Sequence, residues 1–303
     1  MALQNPWRRL WVYILTTFIF GCFYHSFHAK QGVSDPEFSG IPCKIWQIFF
    51  GYAPFDRLGE STQSWVVSNR DCKYTLLSNE GADNFVKTHY SGRPDIFQTF
   101  QEIRYPIFRA DILRYMLLEA EGGVYSDVDT IAHKPIGDWI PKDLEPYTRA
   151  IVGIEYDQLD DHSPSHGFSE RLSICQWTMA SSKGHPMLTK AVDAAIRTLH
   201  ETARQRGLEV SNLQVADEEV GKITGPSLWT GVVMNSLSSA TGTNVSYLNL
   251  TGLSQPRLFG DILVLPIDAF GSGQAHSNSP QHDLETTLVR HQWKMSWRQD
   301  WSN

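Results

Sequence analysis

"RADILRYMLLEAEGGVYSDVDT", residues 109–130 of a 303-residue chain, changes hydrophobic period within a few positions. Through Ile107, Ala110, Leu113, Leu117 and Leu118 the apolar spacing is helical and predicts a helix over 106–120. Gly122-Gly123 stops it, and "VYSDVD" starts at once as a strand. Working outward, the same alternation recurs. Upstream the pattern predicts a strand at 44–49, the end of a helix at 65–69, a strand at 74–77 and a helix over 82–90. Strand, helix, strand, helix, strand is the rhythm of an α/β fold, with helices covering a Rossmann-like, mostly parallel central sheet. Downstream come a strand in "RAIVGIEY" (149–156) and a strand or short helix in "ICQWTMASSKGHPML" (174–188). An amphipathic helix over 187–205 follows, then a helix opened by Pro226 and a late strand in "DILVLPIDAF" (261–270). The expectation is one α/β domain over 41–303 with an elaborated C-terminal half.

Composition narrows the class. With 41% hydrophobic residues the chain can bury a sizeable core. Its net charge of -7 and only 26 Lys plus Arg exclude a basic nucleic-acid footprint. An acidic chain must hold an anionic ligand locally, through a few arginines, backbone N–H groups or a metal.

The N-terminus carries Arg8 and Arg9 and then an apolar, aromatic run from Trp11 to Phe27. That length suits a bilayer span. The reading is a cytoplasmic tail (1–9), a transmembrane signal anchor (10–27) and a turn-rich stem (28–40), with the domain on the lumenal side. A cleaved signal peptide is the rival, but the bulky Tyr24, His25 and Phe27 leave no clear small-residue cleavage site. Among Cys43, Cys72 and Cys175 at most one internal disulfide can form, and Asn244-Val245-Ser246 is a glycosylation sequon if the domain is lumenal.

In this strand side chains at i and i+2 point the same way, so Asp127 and Asp129 share a face while Val128 turns into the core. Two carboxylates so close repel unless a cation or proton lies between them. At the C-terminal end of a strand in an α/β sheet such a pair faces the crevice where ligands bind, and hard cations such as Mg2+ or Mn2+ suit it. Gly122 and Gly123 would permit the tight turn and a ligand's approach. Asp111 and Arg114, three apart on the preceding helix, are either a structural ion pair or a pair reading a sugar and its phosphate.

"FRADILRYMLLEAEGGVYSDVDTIAHKPI" resembles the core signature of the fungal-type D-x-D glycosyltransferases, the family of the Golgi initiation-specific α-1,6-mannosyltransferases. Their relatives include the inositol-phosphoceramide mannosyltransferases and the glucosylating clostridial toxins. "IPCKIWQIFFG", "SWVVSNRDCKYTLLSN", "QWTMASSKGHPML", "TGPSLWTGVV", "ILVLPIDAFGSG" and "VRHQWKMSWR" resemble the mannosyltransferase branch, in order, over about 41–297. The resemblance implies a GT-A nucleotide-sugar-binding fold and a retaining, metal-dependent enzyme. It would move mannose from GDP-mannose to an N-linked oligosaccharide core of glycoproteins as a single-pass type II Golgi protein, in a mannosyltransferase complex if relatives are a guide. It also implies roles: Asp127, Asp129 and His291 for Mn2+; Asp111 and Arg114, with Arg109 beside them, for the donor; Trp46 and Gln47 at the nucleotide base; Ser296 and Trp297 near the diphosphate. A glycolipid mannosyltransferase and a non-catalytic Golgi glycan-binding or scaffold protein are the alternatives. The loop "GSGQAHSNSPQHD" departs from the branch and bears on the acceptor side.

Overall fold

The computed structural model describes residues 37–38, 40–50, 59–159, 170–274 and 277–294. The N-terminal segment read as tail, anchor and stem lies almost wholly outside them. Among the described residues no helix is long and apolar enough to cross a membrane.

Two short strands, β1 (Glu37–Phe38) and β2 (Ile41–Pro42), pair antiparallel ahead of β3 (Lys44–Ile48). Helix α1 (Gly59–Ser68), β4 (Lys73–Leu77), α2 (Asn79–Tyr90) and α3 (Pro94–Glu102) follow. The quoted stretch then forms α4 (Pro106–Glu121) and β5 (Gly123–Ser126), and β6 (Thr130–Ala132) comes next. The second half contributes β7 (Ala150–Asp157), β8 (Leu172–Ile174), β9 (Thr178–Ser181), α5 (Pro186–Gln205), α6 (Asp217–Ile223) and α7 (Pro226–Thr241). It closes with β10 (Arg257–Phe259), β11 (Ile262–Leu265), α8 (Ile267–Phe270) and β12 (Val289–His291).

The main sheet runs β10-β11-β7-β9-β5-β3-β4, with β8 also on β7. It is mixed, not mostly parallel. β3 is parallel to β4 and β5, and β11 to β7, but β9 lies antiparallel between β5 and β7. The reason is the route of the chain. β8 and β9 run back along β7 before the next helix begins, and a strand that returns beside its predecessor without crossing over pairs antiparallel. The direction of β5 still matches that of β3, β7 and β11, so the C-terminal ends of all four share one edge.

Strand alternation divides the interior in two. Ile45, Val124, Ile151 and Leu263 face a cluster built on Trp65, Trp139 and Phe270. Trp46, Tyr125, Val152 and Val264 face the larger cluster under α4, α5 and α7. Helix α4 is buried almost all round, from Asp111 through Leu118, because it lies between the sheet and α5.

The double glycine has a different use from the one its sequence suggests. Gly122 (φ 68°) and Gly123 (φ 103°) sit at the start of β5, the opposite end of the strand from the aspartates. A Cβ on Gly122 would lie 2.6 Å from the Lys183 nitrogen, and one on Gly123 would lie 2.5 Å from the Lys44 carbonyl oxygen. These glycines admit neighbouring backbone, not a ligand. Cys43 and Cys72 form a disulfide across 29 residues at the sheet's β3–β4 side, and Cys175 is free and buried.

Candidate metal centre

Helix α4 and strand β5 run in opposite directions with a two-glycine link. Ten residues of helix back from Glu121 cover about 15 Å, and four strand residues on from Gly123 cover about 13 Å, so Asp111 and Asp127 come level. That is how a buried ion pair on a helix reaches the acidic end of a strand.

The aspartates do not lie on one strand face. β5 ends at Ser126, and residues 127–129 form the turn into β6. The Asp127 carbonyl accepts from the Thr130 N–H and hydroxyl and from the Gln47 amide, while its own N–H donates to the Trp177 carbonyl at 2.8 Å. A turn so pinned brings both carboxylates together while Val128 stays buried.

β12 supplies the third member. It pairs antiparallel with β6, placing His291 opposite Thr130. Its Nε2 lies 3.0 Å from Asp129 Oδ1, and the Lys294 N–H donates to Asp129 Oδ2 at 2.9 Å. Oxygen and nitrogen atoms of Asp127, Asp129 and His291 all fall within 4.8 Å of one another. Burial works to raise the Asp129 carboxyl, but the His291 hydrogen bond and charge and the Lys294 N–H outweigh it, so the group is held below the usual carboxylate range. Two carboxylates and an imidazole are a donor set that suits Mn2+, and His291 Nδ1 is buried with no hydrogen-bond partner. The residues therefore fit a divalent cation.

Arg114 links this group to α4. Its guanidinium lies 3.1 Å from Asp111, 3.6 Å from Asp127 Oδ1 and 5.0 Å above the Tyr125 ring. Asp111 is almost fully buried, with Oδ1 on Arg114 and Oδ2 accepting from the Thr224 hydroxyl at 2.8 Å. Burial pushes its carboxyl up to about 6, against the opposing pull of Arg114 and Thr224. Burial also works against the charge on Arg114, but Asp127, Tyr125 and Asp111 more than restore it, so its pKa is raised. The Tyr125 hydroxyl donates to Asp127 Oδ1 at 2.5 Å. Gln176 completes the support by donating to the Tyr115 hydroxyl and the Thr224 carbonyl.

The remaining expected residues fall elsewhere. Gln47 is fully buried, and its amide is spent on the Asp127 carbonyl and the Tyr74 hydroxyl, which makes it a brace for the turn. Trp46 lies in the core, edge-on to Phe85, with its indole N–H on the Gly122 carbonyl. Arg109 turns to the other side of α4, where it pairs with Asp83 at 2.7 Å and covers the Phe100 ring. Residues two apart on a helix differ by about 200°, so Arg109 and Asp111 cannot face the same way. Ser296 and Trp297 lie outside the described residues.

One member of the neighbourhood was passed over in the sequence. Glu155 interrupts the apolar strand β7 and is 4% exposed. Its oxygens accept from the Trp177 indole N–H at 3.1 Å and the Ser173 hydroxyl at 3.2 Å. Burial raises its carboxyl to about 7. A charged residue inside "AIVGIEYD" was the available signal, since such a group is costly to bury without a purpose.

Comparison with known proteins gives an independent view. Residues 56–145 match the family described as "Glycosyltransferase sugar-binding region containing DXD motif". The chain is 34% identical over 269 residues to the initiation-specific alpha-1,6-mannosyltransferase of Schizosaccharomyces pombe, covering 88% of this chain and 66% of that protein. A mannosyl phosphorylinositol ceramide synthase of Saccharomyces cerevisiae is 41% identical over 70 residues, covering 23% of this chain and 18% of that one. A solved structure named "PaToxG Glycosyltransferase" aligns with TM-score 0.46 at 19% identity, over 78% of this chain and 83% of its own. The chain thus spans slightly under two thirds of the length of the mannosyltransferase it matches.

Proposed function

We propose that this chain, closely related to the fungal initiation-specific α-1,6-mannosyltransferases and matching the DXD-motif sugar-binding region over residues 56–145, moves mannose from GDP-mannose to an N-linked oligosaccharide core. The observation that carries the reading is the convergence of Asp127, Asp129 and His291 beside the buried Asp111–Arg114 pair at the C-terminal edge of β5.

Asp127, Asp129 and His291 would hold the divalent cation, Mn2+ in the first instance, whose charge compensates the nucleoside diphosphate as it leaves. Arg114 adds a fixed cation whose planar guanidinium can donate to sugar or phosphate oxygens. Asp111 acts from behind it, fixing the guanidinium while Thr224 fixes Asp111. Tyr125 and the Trp177 carbonyl hold Asp127 in place before substrate arrives, and Trp177 and Trp293 crowd the other side of His291. Groups ordered in advance need no reorganisation when charge develops, which is the source of their catalytic value. We assign a GT-A-type donor site and a retaining course, with the acceptor hydroxyl attacking from the face the diphosphate leaves.

The N-glycan acceptor is preferred because similarity to the mannosyltransferase extends over 269 residues at 34% identity, whereas that to the ceramide enzymes extends over 70 residues in one and over 175, at 25% identity, in another. A type II Golgi location with residues 10–27 as anchor belongs to the same proposal. The Cys43–Cys72 disulfide supports it, since such bonds persist in oxidising compartments. The test is the detergent-solubilised full chain assayed with a panel of nucleotide sugars, with Mn2+ or chelator, against an N-glycan core and inositol phosphoceramide. Chelator-sensitive α-1,6-mannosyl product from GDP-mannose on the N-glycan is expected. Product on the lipid alone overturns the acceptor assignment, and nucleotide binding indifferent to Mn2+ without transfer points to a non-catalytic protein.

A further inference from the structure

His291 is the least anchored of the three residues assigned to the cation. Asp127 is fixed by backbone bonds to Thr130 and Trp177, and Asp129 by the Gln292 and Lys294 N–H groups, but His291 arrives on a three-residue strand, and its Nδ1 has no hydrogen-bond partner. Histidine ligands are ordinarily oriented by a hydrogen bond at the second ring nitrogen. Something else must set this ring's plane.

Trp177 fills that place. Its indole lies parallel to the His291 imidazole, with ring centroids 4.9 Å apart and planes 9° from coincidence. Trp293 closes the arrangement edge-on at 4.1 Å. The indole is itself tethered, because its N–H donates to Glu155, and Glu155 is held in turn by Ser173. The same residue's carbonyl accepts the Asp127 N–H. Trp177 therefore touches both chain segments that bring ligands to the centre, which are 162 positions apart at Asp129 and His291.

We propose that Trp177, tethered by Glu155, is the positioning element of the cation site, holding His291 by stacking where other proteins use a hydrogen bond. The proposal rests on the assignment of His291 as a ligand. Glu155 acts through Trp177 and Trp177 through His291, so neither touches substrate. A carboxylate is not required for the tether: a glutamine side-chain oxygen accepts from the same indole N–H, and the Ser173 hydroxyl can accept from its amide.

The experiment is titration of the full chain with Mn2+ alone, reading free Mn2+ by electron paramagnetic resonance, with melting temperature recorded for each variant. W177F keeps a ring against His291 and loses the tether; E155L loses it from the other side; E155Q keeps it. W177F and E155L should each weaken Mn2+ binding about 10-fold, and the double variant should be no weaker than either, since one tether is removed in both cases. E155Q should bind within about threefold of the parent. Parental affinity in a folded W177F protein overturns the proposal, as does an E155Q loss equal to that of E155L, which would mean charge and not tethering. Should E155L fail to fold, W177F and E155Q decide alone. D129N and H291A separate the two levels: if both bind Mn2+ like the parent, the ligand assignment itself is wrong, and if both lose binding while W177F does not, only the positioning role falls.

Discussion

Replacing Glu155 by glutamine preserves the acceptor for the Trp177 indole and removes a charge from the interior, so its effect on stability can be worked out separately from packing. Burial raises this carboxyl from 4.5 to about 7. Such a group is protonated in the folded chain over a pH range where the unfolded chain has already ionised. It therefore costs nothing below pH 4.5, costs progressively more between 4.5 and about 7, and costs a constant amount above that. At 1.36 kcal/mol per pK unit the full penalty is about 3 kcal/mol. In a domain of this size that corresponds to about 6–12 °C in Tm. Melting curves of parent and E155Q, taken in chelator so that no cation biases the carboxylate, should coincide near pH 4.5 and diverge as pH rises, with E155Q the more stable at pH 8. Parallel curves across that range would refute the reasoning, because the Glu155 charge would then be solvated in the folded state.

Other outcomes follow from the geometry. In R114K a single ammonium cannot span Asp111, Asp127 and the Gln176 carbonyl as the guanidinium does, and kcat/KM for transfer should fall about 100-fold; near-parental kinetics would remove Arg114 from the site. In T224V the Asp111 carboxyl loses its hydroxyl donor and should titrate above its present value of about 6, moving the acidic limb of the activity profile to higher pH; an unmoved limb would show that Asp111 does not govern it. Removing the Cys43–Cys72 bridge by C43S/C72S frees a 29-residue separation and should cost about 3–4 kcal/mol in urea unfolding, while equal midpoints would mean the bridge does not form.

The sequence was most legible where one chain segment decides the structure. The change of period at Gly122-Gly123 locates α4 and the start of β5 to within a residue or two, because helix and strand burial impose different spacings, but β5 ends at Ser126, three residues before the strand pattern does. Asp111 and Arg114 are likewise one helix face, readable from their separation. What was not legible depends on partners distant in the chain. The reversal of β9 is set by how the chain returns along β7, and nothing in "TMAS" records a direction. Trp46 reads as a strand-end aromatic, but only the sheet decides that its face is the one α4 covers. His291 stands 162 positions from Asp129, beyond the reach of any spacing rule, and it was the family resemblance that drew attention to it. Glu155 left a local sign, a carboxylate within an apolar run, whose meaning depends on Trp177 arriving from another strand.

The pairing of β12 with β6 has a consequence for biosynthesis. Both aspartates are synthesised well before the imidazole that completes their trio, which lies 162 positions further along the chain from Asp129. A nascent chain can thus pair β3, β4 and β5 while the trio still lacks its imidazole, which arrives only when β12 zips onto β6.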